Sequence, residues 1–169
     1  MLIRPVAEDD FVAIASITNH YIATTAIHFA YEPITPEYLL EIWKSSDRHP
    51  WFVVGDRQGA VGYAKSGVWR ERTAYSWTCE VGLYLAPHAL GRGYGTGLYD
   101  ALLDDLPRRG FRSCVAGITL PNDASIKLHK KCGFTRVGTF EDAGYKFGKW
   151  HAVEFWQRRF TTGPEGPPA

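Results

Sequence analysis

Two spacings alternate along this chain, and each change from one to the other marks an element. Leu2–Val6 is a short apolar run that predicts a first strand. Phe11, Ile14, Ile17 and Tyr21 then recur three and four apart, the period of a helix with one buried face, and Asp9 or Asp10 stands where its cap belongs. A loop follows from about Ala23 to Pro33, and Thr35-Pro36 opens a second helix to about Lys44, threonine as cap and proline in the first turn. Trp51–Gly55 and Ala60–Val68 read as strands joined by the tight turn Asp56-Arg57-Gln58-Gly59. Ala74–Leu85 alternates as one long strand. Leu98, Ala101, Leu102 and Leu106 form one face of a helix from Tyr94 to about Pro107, which Gly110 ends. Phe111–Ile118 is a strand, Asn122-Asp123 caps a short helix to Lys131 with Gly133 after it, and Thr135–Phe140 and Ala152–Phe160 form a closing pair of strands.

The order β-α-α-β-β-β-α-β-α-β-β predicts an α/β fold: one domain over residues 1–160, a mixed central sheet with helices on both faces. Ala74–Ile118 is a β-α-β unit whose strands should be parallel and whose crossover should be right-handed. Residues 161–169 are rich in glycine and proline and predict a disordered tail.

Composition narrows the function classes. At 169 residues the chain can bury a full core in one domain. Apolar residues make up 45%, and a net charge of +1 gives no basic field for nucleic acid. Cys79, Cys114 and Cys132 are odd in number and widely spaced, which argues against a disulfide framework or a zinc site. His20, His28, His49, His88 and His151 have no metal-ligand spacing, so no metal is expected. The N-terminal stretch lacks an apolar signal core, and no apolar run approaches the ~18 residues of a membrane span, so a cytoplasmic protein without membrane contact is expected.

The most informative stretch is L-G-R-G-Y-G-T-G-L, from Leu90 to Leu98. Glycine costs about 1 kcal/mol at an interior helix position, yet four of them lead into a helix here. A dinucleotide fingerprint fails in both registers, because its third glycine would fall on Thr96 or Leu98. The G-K-[ST] ending of a P-loop is missing too. What remains is a strand, a glycine turn and a helix N-terminus, whose unpaired N–H groups suit a phosphate, with Arg92 as an added charge. A ligand-free flexible loop is the other reading.

P-x-x-x-G-R-G-Y-G-T-G-L after a long strand resembles the pyrophosphate loop of the Gcn5-related N-acetyltransferases, [QR]-x-x-G-x-[GA], with Leu90 where glutamine or arginine is usual. L-P-N-D-A-S-I-K-L-H-K-K-C-G-F, Leu120–Phe134, resembles the same family's N-x-x-S-x-x-L-[YH]-x-x-x-G-F segment. N-H-Y-I-A-T-T-A-I-H-F, R-T-A-Y-S-W-T-C-E-V-G-L-Y-L and G-Y-K-F-G-K-W-H are similar to the phosphinothricin and methionine sulfoximine acetyltransferase branch, so that the resemblance spans roughly Ile3 to Phe160.

The resemblance implies acetyl-CoA as cosubstrate. It implies cofactor contacts from Leu83, Tyr84 and Leu85, from the turn residues Gly91, Arg92, Gly93, Tyr94, Gly95 and Thr96, and from Asn122. Asn122 is equally a helix cap by position, and Lys131 either reaches phosphate or is simply solvated. Glu80, on the strand ahead of the turn, is the candidate base for the amine proton; a salt-bridged surface glutamate is the alternative. Cys79 beside it points to the opposite face by strand alternation. His129 stands where many members carry the tyrosine that protonates the departing thiolate; a structural histidine is the alternative. Arg70, Glu71, Arg72 and Tyr75, with Val81 and Gly82 beside Glu80, are the expected acceptor contacts, arginine being suited to grip a carboxylate. Phe29, Tyr31, Lys146 and Trp150 are candidate walls of the pocket. The expected reaction is direct acetylation of the α-amine of a small amino acid such as phosphinothricin, methionine sulfoximine or methionine sulfone, by a homodimer. A different acceptor (a polyamine, an aminoglycoside or a protein N-terminus) and a non-catalytic acyl-CoA-binding module are the other readings.

Overall fold

A computed structural model describes residues 2–45, 47–56 and 59–160. The expected tail, and Arg57 and Gln58 of the expected turn, lie outside the described residues. Seven strands form one sheet: β1 (Leu2–Pro5), β2 (Trp51–Asp56), β3 (Gly59–Val68), β4 (Thr78–Leu85), β5 (Ser113–Thr119), β6 (Thr135–Lys146) and β7 (Lys149–Arg159). Their spatial order is β1-β2-β3-β4-β5-β7-β6, antiparallel throughout except for the parallel pair β4–β5. The helices are α1 (Phe11–Thr24), α2 (Pro36–Lys44), α3 (Tyr94–Arg108) and α4 (Asp123–Lys131).

Alternation along β4 separates the two faces of the sheet. Tyr84 faces α1, its ring 5.5 Å from that of Tyr21. Leu83 faces the other way, towards Gly95 of α3. Tyr63 of β3 stacks on Tyr84 and hydrogen-bonds Thr18 of α1 through its hydroxyl at 2.6 Å. On the opposite face Leu98, Leu102 and Leu106 of α3 are fully buried. The 3.6-residue period therefore reports the real packing face of α3. Cys79, Cys114 and Cys132 are all free and buried in this core.

Two expected boundaries move. The strand expected from Ala74 begins at Thr78, because Thr73–Tyr75 closes a 3₁₀ turn in which the Tyr75 N–H meets the Arg72 carbonyl at 2.9 Å. Aromatic and β-branched residues there imitate a strand. The closing pair is longer than expected and forms a hairpin. Phe147 and Gly148 both have positive φ, 51° and 76°, and make the two-residue turn between Lys146 and Lys149. A register break between Phe140 and Gly144 interrupts the alternation that would have betrayed the extra length.

Candidate active site

The site begins where two strands part. Parallel pairing of β4 with β5 runs through Thr78↔Ser113, Cys79↔Cys114 and Glu80↔Val115, and there the ladder stops. Beyond it the strands splay, and a cleft of about 450 Å³ opens between Val81–Leu85 on one wall and Ala116–Thr119 on the other. The β5-facing edge of residues 81–85 therefore offers backbone groups to an extended ligand lying as an added strand. The Tyr21 hydroxyl donates to the Leu85 carbonyl at 2.6 Å and ties α1 to the end of this wall.

The glycine turn closes one end of the cleft. Gly91 and Gly93 have φ of 73° and 80°, and Gly93 is the N-cap of α3, with no side chain to offer. A Cβ on either would meet nothing within 4 Å, so it is the left-handed backbone, not crowding by the protein, that requires glycine there. Gly95 serves differently: a Cβ there would press to 3.1 Å on Leu128 of α4, so its absence lets the two helices close beside the cleft. The first-turn N–H groups of α3 carry the partial positive charge that suits an anion. Thr96 and the exposed Leu90 also line the cleft. Arg92, Tyr94 and Lys131 do not line it, and Arg92 and Lys131 are exposed.

Asn122 lines the cleft and also caps α4, accepting the Ser125 N–H at 3.2 Å. Deeper in, His129 is buried, and burial lowers its pKa against the raising effect of its Ser125 bond. Its Nδ1 lies 2.8 Å from the Ser125 carbonyl, which can only accept, so the Nδ1 proton is fixed there. In the neutral ring Nε2 is then an acceptor, and the Tyr99 hydroxyl donates to it at 2.8 Å. The sequence motif contains His129 but not this partner. Tyr99 lies on the core stripe of α3, where an aromatic reads as packing.

Glu80 stands at the fork on the α1 face. Burial raises its pKa, while the nearby cations of Lys65 and Arg70 pull the other way. The β3–β4 register puts Gly67 opposite Glu80, Lys65 opposite Gly82 and Tyr63 opposite Tyr84. Directly opposed residues share a face. Two of these positions therefore carry no side chain. A Cβ on Gly67 would meet nothing within 4 Å, and one on Gly82 only the Tyr84 ring at 3.8 Å. The result is a bay bordered by Glu80, Lys65 and Tyr84. The missing side chains at Gly67 and Gly82 leave open space beside Glu80 on this face.

The remaining expected contacts are dispersed. Arg70, Glu71, Arg72 and Tyr75 do not line the cleft. Arg70 lies over the Trp69 ring at 5.3 Å and Tyr75 meets the same ring edge-on at 5.1 Å, and of this connection it is Arg70 whose charge acts on Glu80. Phe29, Tyr31 and Lys146, expected as pocket walls, come together but do not line the cleft. Phe29 packs on Gly144, where a Cβ would overlap its ring, and the Tyr31 hydroxyl donates to the Tyr145 carbonyl. Lys146 is 2% exposed and donates to the carbonyls of Ile22 and His28 at 2.6 and 2.7 Å. These contacts clamp the 25–34 loop onto the β6–β7 hairpin and hold Ile27 against the cleft. Trp150 is exposed and meets the Tyr145 ring edge-on. No group of three or more metal-ligating side chains occurs among the described residues.

Comparison with known proteins agrees with this geometry. Residues 11–134 match the acetyltransferase (GNAT) family. The chain is 43% identical to phosphinothricin N-acetyltransferase of Streptomyces viridochromogenes over 159 residues, 94% of this chain and 87% of that protein. It is 33% identical to an L-methionine sulfoximine/L-methionine sulfone acetyltransferase of Salmonella typhimurium, covering 93% of each. It superposes with a TM-score of 0.89 on a GNAT superfamily phosphinothricin acetyltransferase from Sinorhizobium meliloti in complex with AcCoA, at 30% identity, covering 98% of this chain and 94% of that one.

Proposed function

The chain belongs to the acetyltransferase (GNAT) family, and on that premise we propose that it moves an acetyl group from acetyl-CoA to the α-amine of a small amino acid of the phosphinothricin, methionine sulfoximine or methionine sulfone type. The observation that carries this reading is the fork itself: the candidate base, Glu80, is the last paired residue of β4 before the cleft opens.

Bound acetyl-CoA supplies an acetyl thioester and a thiolate leaving group. The residues that would hold it are the edge of Val81–Leu85, the turn Gly91–Gly93, the first turn of α3 and Asn122. Their mixture fits: an apolar slot with free backbone edges for an amide-bearing arm, and a helix N-terminus for a pyrophosphate. Glu80 takes a proton from the acceptor ammonium, directly or through water, and frees the lone pair that forms the N–C bond. The C–S bond breaks as the N–C bond forms. The thiolate takes its proton from the Tyr99–His129 pair. Neutral His129 has no proton at Nε2 to give, so it first takes one there from water, passes it to the thiolate and returns to the neutral ring, while the acylated nitrogen sheds its second proton to water; burial disfavours the imidazolium and makes its proton a readily donated one. Arg70 is the proposed anchor for the acceptor's α-carboxylate.

A homodimer is supported by the exposed apolar side chains of the β6–β7 hairpin and its turn, among them Val137, Phe140, Tyr145, Phe147 and Trp150. A cytoplasmic site of action is supported by three free buried thiols, and no helix of the described residues is long and apolar enough to cross a membrane. Glu80→Gln tests the reading: thiol release on phosphinothricin falls at least about 10-fold with acetyl-CoA affinity kept. Full activity in that variant overturns the assignment.

A further inference from the structure

We propose that Lys65, with His28 beside it, forms an anion subsite in the acceptor bay, which makes this enzyme selective for amino acids whose side chain ends in a negative group. The inference rests on the proposed function above and concerns what that same site accepts. Lys65 lies outside the motifs quoted above, and His28 lies within one of them without a role assigned to it.

Lys65 projects from β3 on the Glu80 face, directly opposite Gly82. It is half-buried, and its ammonium lies 5.0 Å from the centre of the buried Trp51 ring. Among the described residues no carboxylate lies within ion-pair distance of it. A half-buried ammonium without a close counter-ion is an unusual thing to keep in a core-facing position. Glu80 is its nearest acidic neighbour in electrostatic terms, and Glu80 is committed to the amine.

His28 approaches the same bay from the loop after α1. Its ring centre is 6.0 Å from that of Tyr84. The Ala30 N–H donates to its Nδ1 at 3.2 Å, so the neutral ring carries its proton on Nε2 and has one N–H to give. Both Lys65 and Lys146 act on this ring electrostatically, and Lys146 also fixes its backbone carbonyl at 2.7 Å. The groups around the bay are therefore one acid, Glu80, and several donors: Lys65, Arg70, the His28 ring and the Tyr84 hydroxyl. An α-amino acid with an amine for Glu80 and a carboxylate for Arg70 leaves Lys65 and His28 for whatever ends its side chain. A phosphinate, phosphonate or carboxylate there gains a charge-assisted hydrogen bond that a neutral group lacks.

Phosphinothricin and methionine sulfone are suited to test this, because their side chains end in a methylphosphinate and a methylsulfone of nearly the same shape, one anionic and one neutral. Steady-state kcat/KM is measured for both, with wild type, Lys65→Met and Lys65→Arg, at a pH on the alkaline plateau where Glu80 is ionised in all three. Wild type favours phosphinothricin. Lys65→Met raises its KM at least about 10-fold and leaves methionine sulfone within about 3-fold, while Lys65→Arg keeps most of the preference. An equal fall on both substrates in Lys65→Met, with melting temperature unchanged, overturns the subsite and makes Lys65 a support for Glu80. Loss of melting temperature in Lys65→Met transfers the decision to Lys65→Arg and to the wild-type ratio; a wild-type enzyme indifferent to the charge overturns the subsite outright. A wild type that acetylates neither amino acid overturns the acceptor assignment itself, a different outcome from either.

Discussion

Glu80 and Val115 are the last opposed residues of the parallel β4–β5 ladder, and the cleft opens one residue beyond them. The Glu80 side chain keeps access to solvent at that fork. Partial burial raises its pKa from the usual glutamate value, with Lys65 and Arg70 holding it down in part. The base works only when ionised. Activity is therefore full above this raised pKa and falls as pH drops through it. The pH profile of kcat/KM should show an acid limb above about 4.3, the usual glutamate value. Lys65→Met should move that limb upward, since it removes a cation that favours the ionised form. Measuring both profiles checks the sign; a limb that moves down or stays put in the variant contradicts the assignment.

The bay makes a prediction about empty space. Gly82→Ala adds a methyl group that meets only the Tyr84 ring at an ordinary distance, and Gly67→Ala one that meets nothing. Neither glycine has a positive φ. Both variants should melt within a few degrees of wild type, and the acceptor KM should rise about 10-fold or more while the acetyl-CoA KM stays within about 3-fold. An unchanged acceptor KM in both would put the acceptor elsewhere.

Gly93 is the opposite case, where backbone shape is the issue. Its φ of 80° at the N-cap of α3 strains any other residue. Gly93→Ala should cost about 1 kcal/mol of stability and weaken acetyl-CoA binding about 10-fold or more, as titration calorimetry would read. Wild-type affinity in this variant would remove the turn from the cofactor site.

Much of this was legible in the sequence, and what was not has one cause. Helix α3, its glycine turn, the Asn122 cap and His129 are local patterns, and each appears where its spacing puts it. Lys65, the two bay glycines and Tyr99 become site residues only through long-range pairing. The β3–β4 register brings Lys65 opposite Gly82, and the packing of α3 on α4 brings Tyr99 to His129. A register shift of one residue would turn Lys65 to the other face, and no local spacing fixes that register. The same limit explains the hairpin: Phe147-Gly148 has the backbone of a tight turn without the Asn-Gly or Asp-Gly signal that advertises one.

Tyr99→Phe separates chemistry from packing at the cleft floor. The ring stays and only the donor to His129 Nε2 is lost. The expected result is a fall in kcat of about 10-fold or more with KM for acetyl-CoA held, read in single-turnover and steady-state assays. A fall confined to thermal stability would make the pair a core hydrogen bond and nothing more.

Far from the site, Asp10 ties the first strand to α1. Burial pushes its carboxyl pKa up, but two bonds from Arg4 at 2.7 and 2.8 Å and one from the Ala7 N–H at 2.8 Å outweigh this and hold it low. Its contribution is present above the unfolded carboxylate pKa and is lost as pH falls through the lower folded one. Asp10→Asn should cost about 2 kcal/mol at neutral pH and progressively less under acid, as denaturant midpoints at several pH values would report. A cost that does not diminish in acid contradicts the ionic account.

The central claim is acetyl transfer to a small amino acid, and the most direct measurement is thiol release from acetyl-CoA across a panel of amines: phosphinothricin, methionine sulfone, methionine sulfoximine, spermidine, an aminoglycoside and a peptide with a free N-terminus. Turnover on the three amino acids, fastest on phosphinothricin, and none on the cationic or peptide amines is the predicted result. Turnover on spermidine, the aminoglycoside or the peptide with none on the amino acids would contradict it.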